Sequence, residues 1–432
     1  MQNIKKDFPI FKNNPDLVFL DSTASTQKPQ VVIDEMKRFL EQDYANIHRG
    51  AYSLAEKSEK LYKESKEKMA DFLGADSWRE VIYTYNSTYA SNLLVNSIKR
   101  TGLLKKGDVI LVSIVEHHAN IVPWLILKEE LGIEVEYIKV DKNYGLDFAD
   151  LEEKLQNPKV KIVSITHVSN VTGEVFDLEK VGEMVKKQDT NTDSPVIPFV
   201  KGDENKRLFI VDASQSFPHF KVDVKKLQCD ALFCTAHKFG ADSGMGILWG
   251  KTDFLEELKP AFSGGGAISY VKKDCFLEAK LPDRFEPGTP NLSGAVSVLS
   301  ALNYIETIGG YGEVEKIEDT ITQYFLDTLK SPLLISPQGR EIAPLITIIG
   351  GKNAHSRVAV FSFIVEGIHA LDVADFLAEN DVCVRAGQHC AEPLMIELGV
   401  NASCRASFWI YNDTTDVDRF FEVLGECIDV LG

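Results

Sequence analysis

From about residue 80 to 250, short apolar runs rich in β-branched residues alternate with stretches of helical period. This alternation constrains the fold more than any other feature of the chain. The apolar runs fall at 108–115, 133–140, 160–166, 208–212, 231–235 and 246–249, and the helical stretches at 90–100, 121–131 and 178–187. Strands that alternate with helices predict a mostly parallel sheet covered on both faces, hence an α/β fold. Ligands of such sheets bind beyond the carboxyl ends of the strands, so the residues just after each run matter most.

After about residue 290 the rhythm changes. Helical segments at 294–308 and 313–330 lead to a strand at 358–365, a helix at 369–380, a strand at 404–410 and a closing helix. In that helix Val417, Phe420, Phe421, Leu424, Ile428 and Leu431 repeat behind Asp413 as a cap. The division expected is an N-terminal segment (1–20) packing on the small domain, a large domain (21–290) and a smaller α+β C-terminal domain (291–432). An earlier helix carries Leu54, Leu61, Tyr62, Met69 and Phe72 on one stripe. Residues 188–206, polar and holding Pro195 and Pro198, read as a surface insertion.

Composition removes several classes. A net charge of −17 opposes a nucleic-acid partner. No apolar run approaches the length of a membrane span, and the opening MQNIKKDFPIFKNNPDLVFLD has no signal-peptide core. Seven cysteines, scattered from Cys229 to Cys427 with no C-x-x-C pair, form neither a disulfide framework nor a metal site. A reducing, cytoplasmic compartment is expected.

DALFCTAHKFG carries the sharpest chemical signal. An apolar run ends there, and Thr235, His237 and Lys238 follow it. A lysine desolvated at a sheet edge can form a Schiff base with a carbonyl cofactor; a solvated loop lysine is the plain alternative. Asp212 ends the preceding run, where a carboxylate can hold a pyridinium nitrogen protonated or merely cap a turn. Gln215 can donate to a ring oxygen. Together Lys238 and Asp212 point to pyridoxal 5'-phosphate. Asn86-Ser87-Thr88 offers amides and hydroxyls for a phosphate, or an ordinary N-cap. His117 can stack over a planar ring or bond the backbone. In VRAGQHCAEPLM, Cys390 sits in a polar loop near Arg385 and is a better nucleophile candidate than Cys229 or Cys427, whose settings read as packing; an unremarkable loop cysteine is the plain alternative. Arg405 can clamp a carboxylate.

FLDSTASTQKP, YANIHRGAYSLAEKS, EHHANIVPW, THVSNVTGE, VDASQ, AHK, RFEPGTPN, VRAGQHCAEPLM and CRASFWIYN occur in that order. With them the chain resembles the SufS-like (group II) cysteine desulfurases of the class V aminotransferase fold, fold type I of the pyridoxal-phosphate enzymes. The resemblance implies that Lys238 carries the cofactor, Asp212 meets its ring nitrogen, Gln215 its ring oxygen, and His117 stacks on it. Asn170 matches a residue near ring and substrate. Ser87, Thr88, Thr235 and His237 fall at phosphate positions, and Thr289 at one that reaches the phosphate of a second subunit.

Cys390 matches the persulfide-forming cysteine, while Arg385 and Arg405 match substrate-binding residues. L-cysteine would yield L-alanine, with His117 delivering a proton as sulfur departs, and the sulfur would pass to a SufE- or SufU-type acceptor for iron–sulfur cluster assembly. Departures stand at 86–89 (NSTY), at 239–242 (FGAD) and at Gln388. The same machinery also suits a selenocysteine lyase or a cysteine sulfinate desulfinase, and the departures leave a degenerate sulfur-relay scaffold as a further reading.

Overall fold

The computed structural model describes residues 4–48, 50–189 and 206–432. The insertion read at 188–206 lies, from 190 to 205, outside them.

A seven-stranded sheet runs in the order Val81–Thr84, Gly246–Gly250, Ala231–Thr235, Leu208–Asp212, Val160–Thr166, Val109–Ser113 and Glu134–Ile138. All neighbours are parallel except Gly246–Gly250, which runs against both of its own. Leu208–Asp212 and Ala231–Thr235 are buried along their whole length, as strands covered on both faces must be. On one face lie Ser87–Thr101 and Val122–Leu131, with their own apolar cluster around Leu94, Trp124 and Phe233. On the other, Ser53–Leu73 and Leu292–Thr307 join a core that continues without a break into the C-terminal region.

There Ile346–Ile349, Val360–Val365, Ser403–Ser407 and Arg385–Gly387 form an antiparallel sheet in that order. The closing helix, Thr414–Leu431, starts in a capping box in which Asp413 and Asp416 each accept from the other's end of the turn. Its Phe420 and Phe421 pack on Phe325, which stacks on Phe361 at 3.9 Å between ring centroids. The N-terminal residues lie against this region. Val18–Phe19 pairs in parallel with Val382–Cys383, Phe8 packs edge-on to Tyr411 and Trp409, and Lys5 pairs with Asp416 at 2.7 Å.

Several buried polar contacts join the large sheet's region to the C-terminal region, among them these three. Trp409 Nε1 donates to the Pro218 carbonyl at 3.0 Å, Ser362 Oγ donates to the Val171 carbonyl at 2.6 Å, and the buried His219 and Glu318 meet at 2.6 Å. A fourth buried group anchors the loop at 284–289. Glu286 accepts from Lys66 Nζ, from the Tyr62 hydroxyl at 2.7 Å and from the Tyr83 backbone N–H, while the Lys66 ammonium lies 5.1 Å from both tyrosine rings. Lys66 is fully buried, so its removal strands a carboxylate. Lys66→Met is expected to destabilise the protein by about 3–5 kcal/mol, measured as the first transition in denaturant unfolding, whereas a loss below about 1 kcal/mol would contradict the pair's role.

Candidate active site

Every catalytic candidate of the large sheet follows the carboxyl end of a parallel strand. Thr166 and Asp212 end adjacent strands and are register partners; Lys238 comes three residues after its strand, and His117 four after Val109–Ser113. With Ser87, Val168, Asn170, Ser214 and Gln215 they line a single cleft. Sequence periodicity thus converts directly into a shared site.

Electrostatics in the cleft follow from burial. Lys238 loses proton affinity, to about 8, because burial outweighs the opposing pull of Asp212. Burial pushes the Asp212 carboxyl up, although Ser214 N–H donates to it at 2.8 Å. His117 drops to about 3 through burial and the nearby Lys238 charge. Its Nδ1 accepts from Ala119 N–H at 3.1 Å, so the neutral ring presents Nε2–H. That makes His117 a hydrogen-bond donor with no extra proton at neutral pH. Behind it Glu116, fully buried, is raised to about 8 by burial and accepts from Ser113, from Asn120 at 2.7 Å and from Thr166 N–H at 2.9 Å.

The segment 21–28 straps these parts together. The His237 carbonyl, one residue before the lysine, accepts from Thr26 N–H at 3.0 Å, Thr26 Oγ1 at 3.1 Å, Ser25 Oγ at 3.3 Å and Lys28 Nζ at 3.0 Å. Gln215 Nε2 donates to the Thr23 carbonyl at 3.0 Å. Lys238 therefore has a fixed backbone while its side chain stays in the cleft.

The second sheet brings the thiol. Asn170 Nδ2 donates to the His389 carbonyl at 2.8 Å, His118 N–H donates to the Cys390 carbonyl at 2.9 Å, and His118 pairs with Glu392. The loop turns through positive φ at Gly387 (131°), His389 (56°) and Cys390 (57°). Two successive non-glycine residues in the left-handed region store strain of the sort found at functional sites. Cys390 is exposed, while burial pushes Cys229 and Cys404 up to about 12 and keeps them protonated.

Other expected residues stand apart from the cleft lining. Thr88 is exposed on the first turn of its helix. Thr235 is buried, and its hydroxyl donates to the Met245 carbonyl at 3.4 Å. Thr289 is exposed on the loop anchored by Glu286. Arg385 binds the Asp21 carboxylate at two points, so its charge is already matched before it can favour a thiolate at Cys390. Asp21 was not singled out from the sequence, although FLDSTASTQKP contains it as that motif's one acidic residue.

Pyridoxal phosphate can be tested against these atoms. Ser214 Oγ and Gln215 Oε1 are buried without a partner, an arrangement that a polar ligand relieves. Asp212 offers a carboxylate at the floor, Lys238 an amine of lowered proton affinity, and Ser87 a hydroxyl at a helix start. This set fits a pyridine aldehyde bearing a phosphate.

Comparison with known proteins agrees. The aminotransferase class-V family model matches residues 18–192 and 195–420. A probable cysteine desulfurase of Pyrococcus abyssi is 34% identical over 100% of this chain and 98% of its own length. A cysteine desulfurase of Pectobacterium carotovorum is 33% identical over 100% of this chain and 99% of its own. The solved cysteine desulfurase of Thermococcus onnurineus superposes with a TM-score of 0.87 at 33% identity, covering 100% of this chain and 98% of that one. The chain belongs to the aminotransferase class-V family and, within it, to the cysteine desulfurases.

Proposed function

We propose that this protein converts L-cysteine to L-alanine with pyridoxal phosphate and leaves the sulfur as a persulfide on Cys390. One observation carries the reading: Lys238 and Asp212 share a cleft with Asn170, which also bonds the loop that presents an exposed Cys390.

Pyridoxal phosphate, when bound, supplies an electron sink for the substrate α-carbon. The chain's residues do the rest. Asp212, which burial raises and the Lys238 charge opposes, would accept from a protonated ring nitrogen. Ser214 and Gln215 offer bonds to ring substituents, and Ser87 to the phosphate, where we also place Thr88, Thr235 and His237. His117 would lie against the ring and has Nε2–H to donate. Lys238 is the residue that would hold the cofactor, and its amine, when free, would accept the proton from the substrate Cα. Arg405 receives the substrate carboxylate. The Cys390 thiolate then forms a bond to the substrate sulfur as the Cβ–S bond breaks, with that bond's electron pair remaining on the substrate carbon.

An exposed persulfide suits transfer to a thiol of a second protein, as a SufE- or SufU-type acceptor would provide for iron–sulfur cluster assembly. Free thiols throughout fit a reducing, cytoplasmic setting. Among the described residues no helix is long and apolar enough to cross a membrane.

The pH dependence of cofactor loading follows from Lys238. Condensation with an aldehyde needs the neutral amine. With its proton affinity lowered from 10.5 to about 8, Lys238 is expected to load faster as pH rises through about 8 and to level off above it, followed by visible absorbance in cofactor-free protein. A rise that continues towards 10.5 would mean an ordinary exposed lysine is reacting. Lys238→Ala removes both the absorbance of the bound form and alanine formation.

We also propose a homodimer in which Thr289 reaches the phosphate of the other subunit. The support is its exposed position on a loop whose base is pinned by Glu286, and a two-fold arrangement makes such a contact reciprocal. Thr289→Ala is expected to weaken cofactor retention by about 0.5–1.5 kcal/mol, the worth of one hydrogen bond. Sedimentation that finds an active monomer would contradict the shared site.

A further inference from the structure

Three consecutive residues beyond strand Val109–Ser113 engage three different parts of the molecule. Glu116 is buried in the large sheet, where it accepts from Asn120 Nδ2 at 2.7 Å and from Thr166 N–H at 2.9 Å. Thr166 is in turn the register partner of Asp212. His117 lines the cleft. His118 crosses to the other sheet: its N–H donates to the Cys390 carbonyl at 2.9 Å, and its Nε2 meets Glu392 Oε2. One short stretch of backbone thus ties the floor of the cleft to the thiol loop, with Glu116 as its fixed end.

The two contacts of His118 differ in kind. Its backbone bond ends on Cys390 itself, whereas its imidazole grips a residue two places further on, at the start of helix Glu392–Glu397. The cysteine is therefore held from both sides, since Asn170 Nδ2 donates to the preceding His389 carbonyl at 2.8 Å. Between these holds His389 and Cys390 sit at φ 56° and 57°, a conformation that non-glycine residues keep only where their surroundings impose it. Glu392 Oε2 is shut off from water and has no hydrogen-bond partner among the described residues, so the imidazole is the group that answers it. The side chains of the pair are 35% and 39% exposed. A pair so placed adds little to overall stability, and its effect falls on the position of the loop.

We propose that His118 and Glu392 are positioning residues that hold the Cys390 thiol in register with His117 and the cleft. Neither touches the reacting atoms; both act through the loop. The inference rests on the assignment of Cys390 as the sulfur acceptor made above. Because His117 and His118 are adjacent, the imidazole in the cleft and the loop that carries the thiol are fixed to the same backbone. Bond formation between a thiolate and the substrate sulfur needs close and aligned approach, and a misplacement of about 1 Å can cost about a hundredfold in rate.

The test is a single turnover of the cofactor-loaded enzyme with L-cysteine and no acceptor, read in two ways. One is the change in the cofactor's visible absorbance when cysteine is added; the other is the rate at which Cys390 gains a sulfur atom, by intact mass of quenched samples. His118→Ala keeps the backbone N–H and removes only the imidazole, and Glu392→Ala removes the other half of the contact. Each is expected to leave the rate of the absorbance change within about twofold of wild type while slowing the arrival of sulfur on Cys390 about tenfold or more. The double variant should be no slower than the slower single one, because both changes remove the same contact. Sulfur arriving at the wild-type rate in either single variant, or losses that multiply in the double, overturns the proposal. So does an equal slowing of both readouts, or loss of cofactor from both single variants, since the pair would then support the cleft or the fold rather than the thiol. If one single variant alone loses cofactor, the other decides. The underlying assignment fails separately: wild-type protein that gains no sulfur on Cys390 would remove the acceptor, whatever the variants do.

Discussion

The catalytic arrangement depends on a loop of one sheet being held over the strand ends of another. Parallel strands deliver Asp212, Lys238 and His117 to a common edge, but none of these can accept sulfur. The thiol we propose for that role comes from a loop of the antiparallel sheet, and two hydrogen bonds fix the loop there: Asn170 Nδ2 to the His389 carbonyl and His118 N–H to the Cys390 carbonyl. Both use backbone carbonyls of the loop, so the position of Cys390 is defined while its side chain remains free. The positive φ values of His389 and Cys390 are the cost of that presentation, of order 1–3 kcal/mol each.

Burial governs the charges beneath the loop. The same desolvation that raises Asp212 lowers Lys238 and His117, so each group is moved towards its neutral form and mutual attraction keeps the amine and carboxylate partly charged. A neutral lysine is the form that can attack an aldehyde, and a neutral histidine the form that can lie against an aromatic ring. The strap at 21–28 then ties the two halves of the chemistry. Its Thr23 and Thr26 hold Gln215 and the backbone before Lys238, while Asp21 balances the arginines of the other sheet.

Much of this was legible in the sequence because it depended on local pattern. The runs at 160–166, 208–212 and 231–235 match the observed strands residue for residue, since continuous β-branched burial has few other outcomes. The closing helix and its Asp413 cap were equally local. What escaped notice depended on pairing across distance. The reversed direction of Gly246–Gly250, the strand Ile346–Ile349 and the hairpin of Ile268–Val271 with Phe276–Glu278 are set by neighbours far away in the chain. Asp21 is the same case within the site: its meaning arises only when Arg385 and Arg405 are brought into register more than 360 residues later. Arg385, read alone as a source of positive charge for Cys390, changes character once its partner is seen.

The central claim is that the cleft activates carbon while the loop cysteine takes the sulfur. The most direct measurement is the intact mass of the cofactor-loaded protein after L-cysteine is added without an acceptor, followed by peptide mapping. One added sulfur atom per chain, located on Cys390 and removed by a thiol reductant, is the result this account predicts. A sulfur found on Cys383, Cys404 or Cys275 instead, or alanine formed with no sulfur retained on the protein, would contradict it.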